Sequence, residues 1–170
     1  MTRVALIVLL FSACLFGCSS TTRPVVWKSG DVVFSDFQYF DIQPVGNATG
    51  HTVMQDIPTF LTDSLKQQFV ARNLQLVDGQ RIGNEVLIVQ SEILKYKFQF
   101  WTGPPPPSGN TIGLCILRTR LIQKTTGHLV GEIITTNQVN VGRGMLEAKS
   151  PDSLLQESAA QIAREVAKMR

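Results

Sequence analysis

Three cysteines, two histidines and thirteen carboxylates are the side chains of this 170-residue chain that could do covalent or metal chemistry. Their spacing supports little of it. His51 and His128 sit in the polar, glycine-containing stretches 46–51 and 125–128, which read as turns. No short-spaced pair of ligands accompanies either histidine, so no metal is expected. His128 has Thr125, Thr126 and Glu132 close in sequence, but turn chemistry accounts for all of them. Gly142-Arg143-Gly144 lacks the third glycine and the following helix of a dinucleotide fingerprint, and there is no phosphate-binding loop. No catalytic residue, no cofactor and no enzymatic activity are therefore expected. Cys115 lies in the apolar run 112–117 and reads as a buried, inert thiol.

Two other groupings could bind rather than react. Lys95 and Lys97 share one face of a predicted strand, and Arg118 and Arg120 share one face of the next. Together they form a candidate basic patch for anionic lipid headgroups or glycan phosphates. Whether all four meet depends on strand register. The competing reading is a solvated sheet face with Glu92 as a cross-strand partner. The second grouping is Phe100, Trp101 and the prolines Pro104, Pro105, Pro106 and Pro107, a candidate partner-contact surface. It reads equally as a hairpin tip folded over the core. The formal net charge is +3, with acids and bases interspersed, and no nucleic acid is expected as a partner.

The elements that must position these residues follow from hydrophobic period. Residues 31–45 read as a first strand, ended by Pro44 and Gly46. Ile57, Phe60, Leu61, Leu65 and Phe69 recur at helical spacing, which predicts a helix over 58–72, with Asp56 as its cap and Asn73 as its left-handed end. A short strand at 74–77 precedes three long ones at 85–101, 111–124 and 129–141. The four prolines cannot sit inside a sheet, and Gly127 suits the tight turn between the last two strands. A closing helix is predicted over 151–169. Ser150 caps it, Pro151 opens it, and Leu155, Ala159, Ile162, Val166 and Met169 line one face. The order strand-helix-strands-helix predicts an α+β fold. Its mostly antiparallel sheet carries both helices on one face, burying Leu65, Phe69, Ile162 and Val166 together. The other face is left open to partners.

The first residues have a different logic. Arg3 supplies a charge, and residues 4–16 are apolar except for Ser12 and Cys14. That run is shorter than the ~20 residues that cross a bilayer, and its layout is that of a signal peptide. Leu15-Phe16-Gly17-Cys18 resembles the lipobox of bacterial lipoproteins. The resemblance implies diacylglycerol on the Cys18 sulfur, cleavage before Cys18, and acylation of the new amino group. The membrane is then a partner through Cys18. Phe16 departs from the smaller residue usual at its position. Phe11-Ser12-Ala13-Cys14 is a rival site with a shorter apolar segment, and an ordinary secretory signal is the remaining alternative. Ser19 resembles the residue of lipoproteins sent to the outer membrane, where the domain would face the periplasm. The expected organisation is a signal peptide at 1–17, a lipidated tether at 18–30 and one domain at 31–170.

The stretch from Ile116 to Glu132, with its basic-apolar strand, Thr126-Gly127 turn and Val130-Gly131 return, is similar to a hairpin of bacterial envelope lipoproteins of domain-of-unknown-function families. More distantly, it resembles the periplasmic domain of the curli-assembly lipoprotein and auxiliary lipoproteins of ABC transporters. This resemblance implies a fold and carries over no active site. It implies a non-catalytic envelope binding or assembly module, accessory to a transport machine, with an envelope protein as partner. The alternative is a lipoprotein that handles a small ligand, lipid or glycan in a pocket between sheet and helices. Cys18→Ser is expected to abolish lipid labelling and leave uncleaved precursor, whereas Cys14→Ser leaves labelling intact. The reverse pattern would move the acylation site to Cys14.

Overall fold

The structure is a computed structural model that describes residues 22–54, 56–81, 83–99, 111–140 and 150–170. Cys18, Phe100, Trp101, Pro104 to Pro107 and the Gly142-Arg143-Gly144 stretch lie outside the described residues.

Strict alternation of buried and half-buried residues builds the centre of the sheet. Strand β5 spans Val86–Phe98, β6 spans Thr111–Gln123 and β7 spans Leu129–Asn140. On β6, Cys115, Leu117, Thr119 and Leu121 are buried, and on β7 so are Ile133, Thr135, Asn137 and Val139. The three strands pair antiparallel in sequence order. Gly127, at φ 70°, turns the chain between β6 and β7, as its lack of a side chain allows. On β5 the alternation changes phase. Leu87, Val89, Ser91 and Ile93 face the core, the register with β6 skips Leu94, and Tyr96 and Phe98 then pack inward. A β-bulge of this kind lets one extra residue pass without turning the following apolar residues to solvent.

Four short strands complete the sheet: β1 (Val25–Lys28), β2 (Tyr39–Ile42), β3 (Gly46–Asn47) and β4 (Gln75–Leu76). The order is β1-β7-β6-β5-β2-β4, with β3 also pairing with β5. Strand β2 runs parallel to both β5 and β4, so the sheet is mixed, with its long strands antiparallel. Parallel neighbours require a long crossover, and helix α1 (Asp56–Val70) lies in the one between β2 and β4.

Helix α2 spans Pro151–Met169; the Ser150 hydroxyl accepts a hydrogen bond from the Ser153 amide at 3.2 Å and caps it. Both helices pack against each other and against the same sheet face. Leu65, Phe69 and Ile162 are fully buried there, and Val166 almost so. The Phe69 ring meets Phe40 of β2 edge to face, with centroids 5.5 Å apart. Asn73, at φ 57°, turns the chain out of α1 into β4.

Two expectations are corrected. Residues 31–45 do not form one strand. Phe34–Asp36 is a 3₁₀ turn, and β2 and β3 follow it as separate pieces. Phe34 and Phe37 are three residues apart, so one strand would send them to opposite faces, whereas a 3₁₀ turn aligns positions i and i+3. Both rings are buried, 6.0 Å apart. Regular structure is also present before residue 31. Within the stretch expected to be tether, Val25–Lys28 pairs with Gly131–Ile134 of β7 and forms the edge of the sheet.

Candidate functional site

Register settles which outward side chains meet. Four of the rows that cross the face away from the helices hold the candidate residues and their neighbours. Trp27, Glu132, Arg120 and Gln90 make one, and Val25, Ile134, Arg118 and Glu92 make the next. Thr136, Ile116 and Lys95 follow, then Gln138, Leu114 and Lys97. Lys95, Lys97, Arg118 and Arg120 therefore share one face. Glu92 and Glu132 are interleaved with the two arginines. Arg118 Nε lies 2.6 Å from Glu92 Oε1, Arg120 Nη1 3.8 Å from the same oxygen, and Arg120 Nε 3.5 Å from Glu132 Oε2. The hydrogen bond to Glu92 raises the Arg118 pKa further above its ordinary value. These groups remain a quarter to two-fifths exposed, so solvent screens the pairs and they add little to stability. Lys95 and Lys97 instead border an open groove of about 260 Å³ with Ile112, Gly113, Leu114 and Gln138.

The edge of this face is apolar. On β1, Val25 is 66% and Trp27 49% exposed on this face, while Val26, 40% exposed, points to the helix side with its neighbour Ile133. Among the described residues no strand pairs with the outer side of β1, and an exposed edge strand is a ready template for contact.

The helix-covered face holds the buried polar chemistry. Asn137 Nδ2 donates to Ser158 Oγ at 2.9 Å and to Gln161 Oε1 at 3.1 Å, which ties β7 to α2. Ser91 and Thr119 hydroxyls share a hydrogen bond of 2.8 Å across β5 and β6. Burial pushes the Cys115 thiol up from the ordinary 9.0 to about 11, against a smaller opposing effect of a hydrogen bond with Ser158. Such a thiol is protonated at neutral pH and is a poor nucleophile. His51 and His128 occupy turns: Thr49 Oγ1 donates to the His51 carbonyl at 2.9 Å, and the His128 amide donates to Thr126 Oγ1 at 3.2 Å. Among the described residues, no three potential ligands stand close enough together to hold a metal.

Sequence reasoning missed one charged pair. Lys124 Nζ donates to Asp41 Oδ2 at 2.7 Å and to the Gly79 carbonyl at 2.8 Å, with both side chains mostly buried. It ties the end of β6 to β2 and to the loop after β4. Removing one partner of such a pair leaves the other charge buried and unpaired. Asp41 between Phe40 and Ile42 was the available signal, a lone carboxylate in an apolar strand.

No protein-family model matches this chain, and no curated protein matches it. Several solved structures share its fold. A PelC dodecamer variant from Paraburkholderia phytofirmans aligns with TM-score 0.60 at 10% identity, covering 85% of this chain and 97% of that one. A DUF4136 family protein from Bacteroides thetaiotaomicron aligns with TM-score 0.52 at 9% identity, over 90% of this chain and 100% of that one. A DUF330 family protein from Xanthomonas campestris aligns with TM-score 0.50 at 10% identity, over 77% and 81%. At these identities the likeness is one of fold, and families of unknown function are among those that share it.

The state of Cys115 generates a test. In the folded protein it is expected to resist iodoacetamide at neutral pH and to react on unfolding; rapid labelling of the native protein would contradict its burial. The fold holds the thiol proton more tightly than the unfolded chain does, so this contribution to stability is present below pH 9.0 and is lost as pH rises through about 11. Tyr96, raised chiefly by burial, adds an effect of the same sign. Thermal unfolding of Cys115→Ala should show a shallower loss of Tm across that window than the parent.

Proposed function

We propose that this protein is a bacterial envelope lipoprotein, anchored in the outer membrane through acylated Cys18, whose periplasmic domain is a non-catalytic binding or assembly module. One observation carries the reading: two helices seal one face of the sheet, while among the described residues no element covers the other face, which mixes apolar with charged side chains. A surface of that composition suits a protein partner, because it offers apolar area and paired charges that set orientation. The PelC structure is a dodecamer, which supports association between copies or partners as a use of this fold. The hairpin's resemblance to auxiliary lipoproteins supports a place beside a transport machine. Phe100, Trp101 and Pro104 to Pro107, which lie outside the described residues, are retained as a proposed partner contact on their residue types alone.

The small-ligand alternative requires a pocket between sheet and helices. That layer is filled by Leu65, Phe69, Leu117, Ile133 and Ile162, all fully buried. The binding-module reading is therefore preferred.

Photo-cross-linking in intact cells tests it. A photoreactive residue at outward-facing Gln90 or Gln138 is expected to capture a protein neighbour. The same residue at Gln156 or Arg164, on the exposed side of α2, is expected to capture none. Adducts from the helix positions alone would make the helix layer the contact surface and overturn the assignment.

A further inference from the structure

The polypeptide is tied to the domain almost as soon as it leaves its proposed anchor. Thr22 stands four residues after Cys18. Its hydroxyl donates to the Thr136 carbonyl at 2.6 Å, and its own carbonyl accepts from Gln161 Nε2 at 3.1 Å. The chain at Thr22 is thus held by β7 and α2 together. Extended chain covers at most ~3.6 Å per residue, so Cys18 lies within roughly 14 Å of that docked point. Strand β1 begins three residues later.

What β1 presents is matched to a lipid surface. It is the terminal strand of the sheet, with β7 on one side. Register places Val25 and Trp27 on the face away from the helices, beside Ile134 and Glu132. Exposed Arg23 and Lys28 bracket the apolar triplet, and register turns Val26 and Lys28 to the helix side of the same edge. Tryptophan favours the boundary between headgroups and acyl chains, and cations favour anionic headgroups.

We propose that the β1 edge, from Arg23 to Lys28, rests in the headgroup layer of the leaflet that holds the anchor and fixes the orientation of the domain on the membrane. This rests on the reading of Cys18 as the acylated residue. The ligand is the bilayer itself, with anionic headgroups taken by Arg23 and Lys28 and the interface taken by Val25 and Trp27. A second copy of the chain fits the same edge poorly. Antiparallel pairing centred on Val26 sets Lys28 opposite Pro24, which has no N–H to give, and brings Arg23 close to that lysine. Parallel pairing in register sets Lys28 against Lys28. Like charges in opposition destabilise a strand pair, and proline removes a ladder bond.

The chain has two tryptophans, Trp27 and Trp101. The test reconstitutes the acylated protein in vesicles of phosphatidylethanolamine and phosphatidylglycerol, with and without brominated acyl chains. Emission is compared between Trp101→Phe, which leaves Trp27, and Trp27→Phe, which leaves Trp101. Should Trp101→Phe fail to fold, the difference between the parent and Trp27→Phe reports the same signal. Brominated lipid is expected to lower Trp27 emission, because an aromatic at the interface lies within reach of the brominated chains. Most of that loss should disappear in the double variant Arg23→Gln, Lys28→Gln on the same vesicles. Protein that floats with the vesicles while Trp27 stays open to aqueous acrylamide and unquenched by bromine overturns the proposal and leaves the anchor reading standing. Trp27 shielded from acrylamide but unquenched by bromine means that another protein surface covers the edge, which also overturns it. Protein that carries no lipid on Cys18 and fails to float overturns the anchor reading and this proposal together.

Discussion

Two helices can seal only one face of a seven-stranded sheet, and most of the structure follows from that constraint. The sealed layer runs from Phe40 and Phe69 at the α1 end to Leu117, Ile133 and Ile162 beneath α2. Each large side chain buried in full contributes about 1.5–3 kcal/mol relative to exposure. Keeping those residues inward therefore outweighs local strand regularity. The bulge at Leu94 shows this: the register shifts by one residue so that Tyr96 and Phe98 stay on the helix side. The 3₁₀ turn at Phe34–Asp36 shows it again, because a strand would have pushed one phenylalanine into water.

Several polar groups inside the layer tie elements together, although the buried Thr135 Oγ1 and Asn137 Oδ1 have no hydrogen-bond partner among the described residues. Asn137 links β7 to α2 through Ser158 and Gln161, and Gln161 reaches on to Thr22. The same network that orients α2 therefore holds the chain leaving the N-terminal stretch. A buried amide with fixed partners specifies one arrangement of helix on sheet, because any slip leaves it without partners. On the open face the polar groups have another role. The chain Arg118, Glu92, Arg120 and Glu132 adds little stability, but it keeps charge among Ile116, Ile134 and Leu114. An all-apolar sheet face would invite indiscriminate association.

The parts of this fold that are periodic were legible in the sequence. Helix α2, its Ser150 cap and the hairpin around Gly127 stand where period and turn chemistry place them. The parts that rest on tertiary context were not. Strand β1 is four residues long and exposed along its length, so it carries no alternation against a core, and its Val-Val-Trp run reads as plain tether until β7 is seen beside it. Phe34 and Phe37 look like strand residues by type, and only their spacing of three hints at the turn. The shared face of Lys95, Lys97, Arg118 and Arg120 could not be deduced, because it depends on register across a bulge. Nor could the pairing of the two arginines with Glu92 and Glu132, which divides the set into a neutralised half and a pair of lysines beside a groove.

A one-sided sheet makes a domain that is complete as a folded unit and still offers a broad surface to its surroundings. The anchor proposed at Cys18, a few residues from the edge strand, would hold that surface close to a membrane. The most direct test is cysteine scanning along β6 in a Cys115→Ala background, read with a polar maleimide on the folded protein. Positions 114, 116, 118 and 120 are expected to react quickly, and 117, 119 and 121 only on unfolding. Loss of that period-two alternation, with both sets protected or both reactive in the isolated protein, would contradict the account.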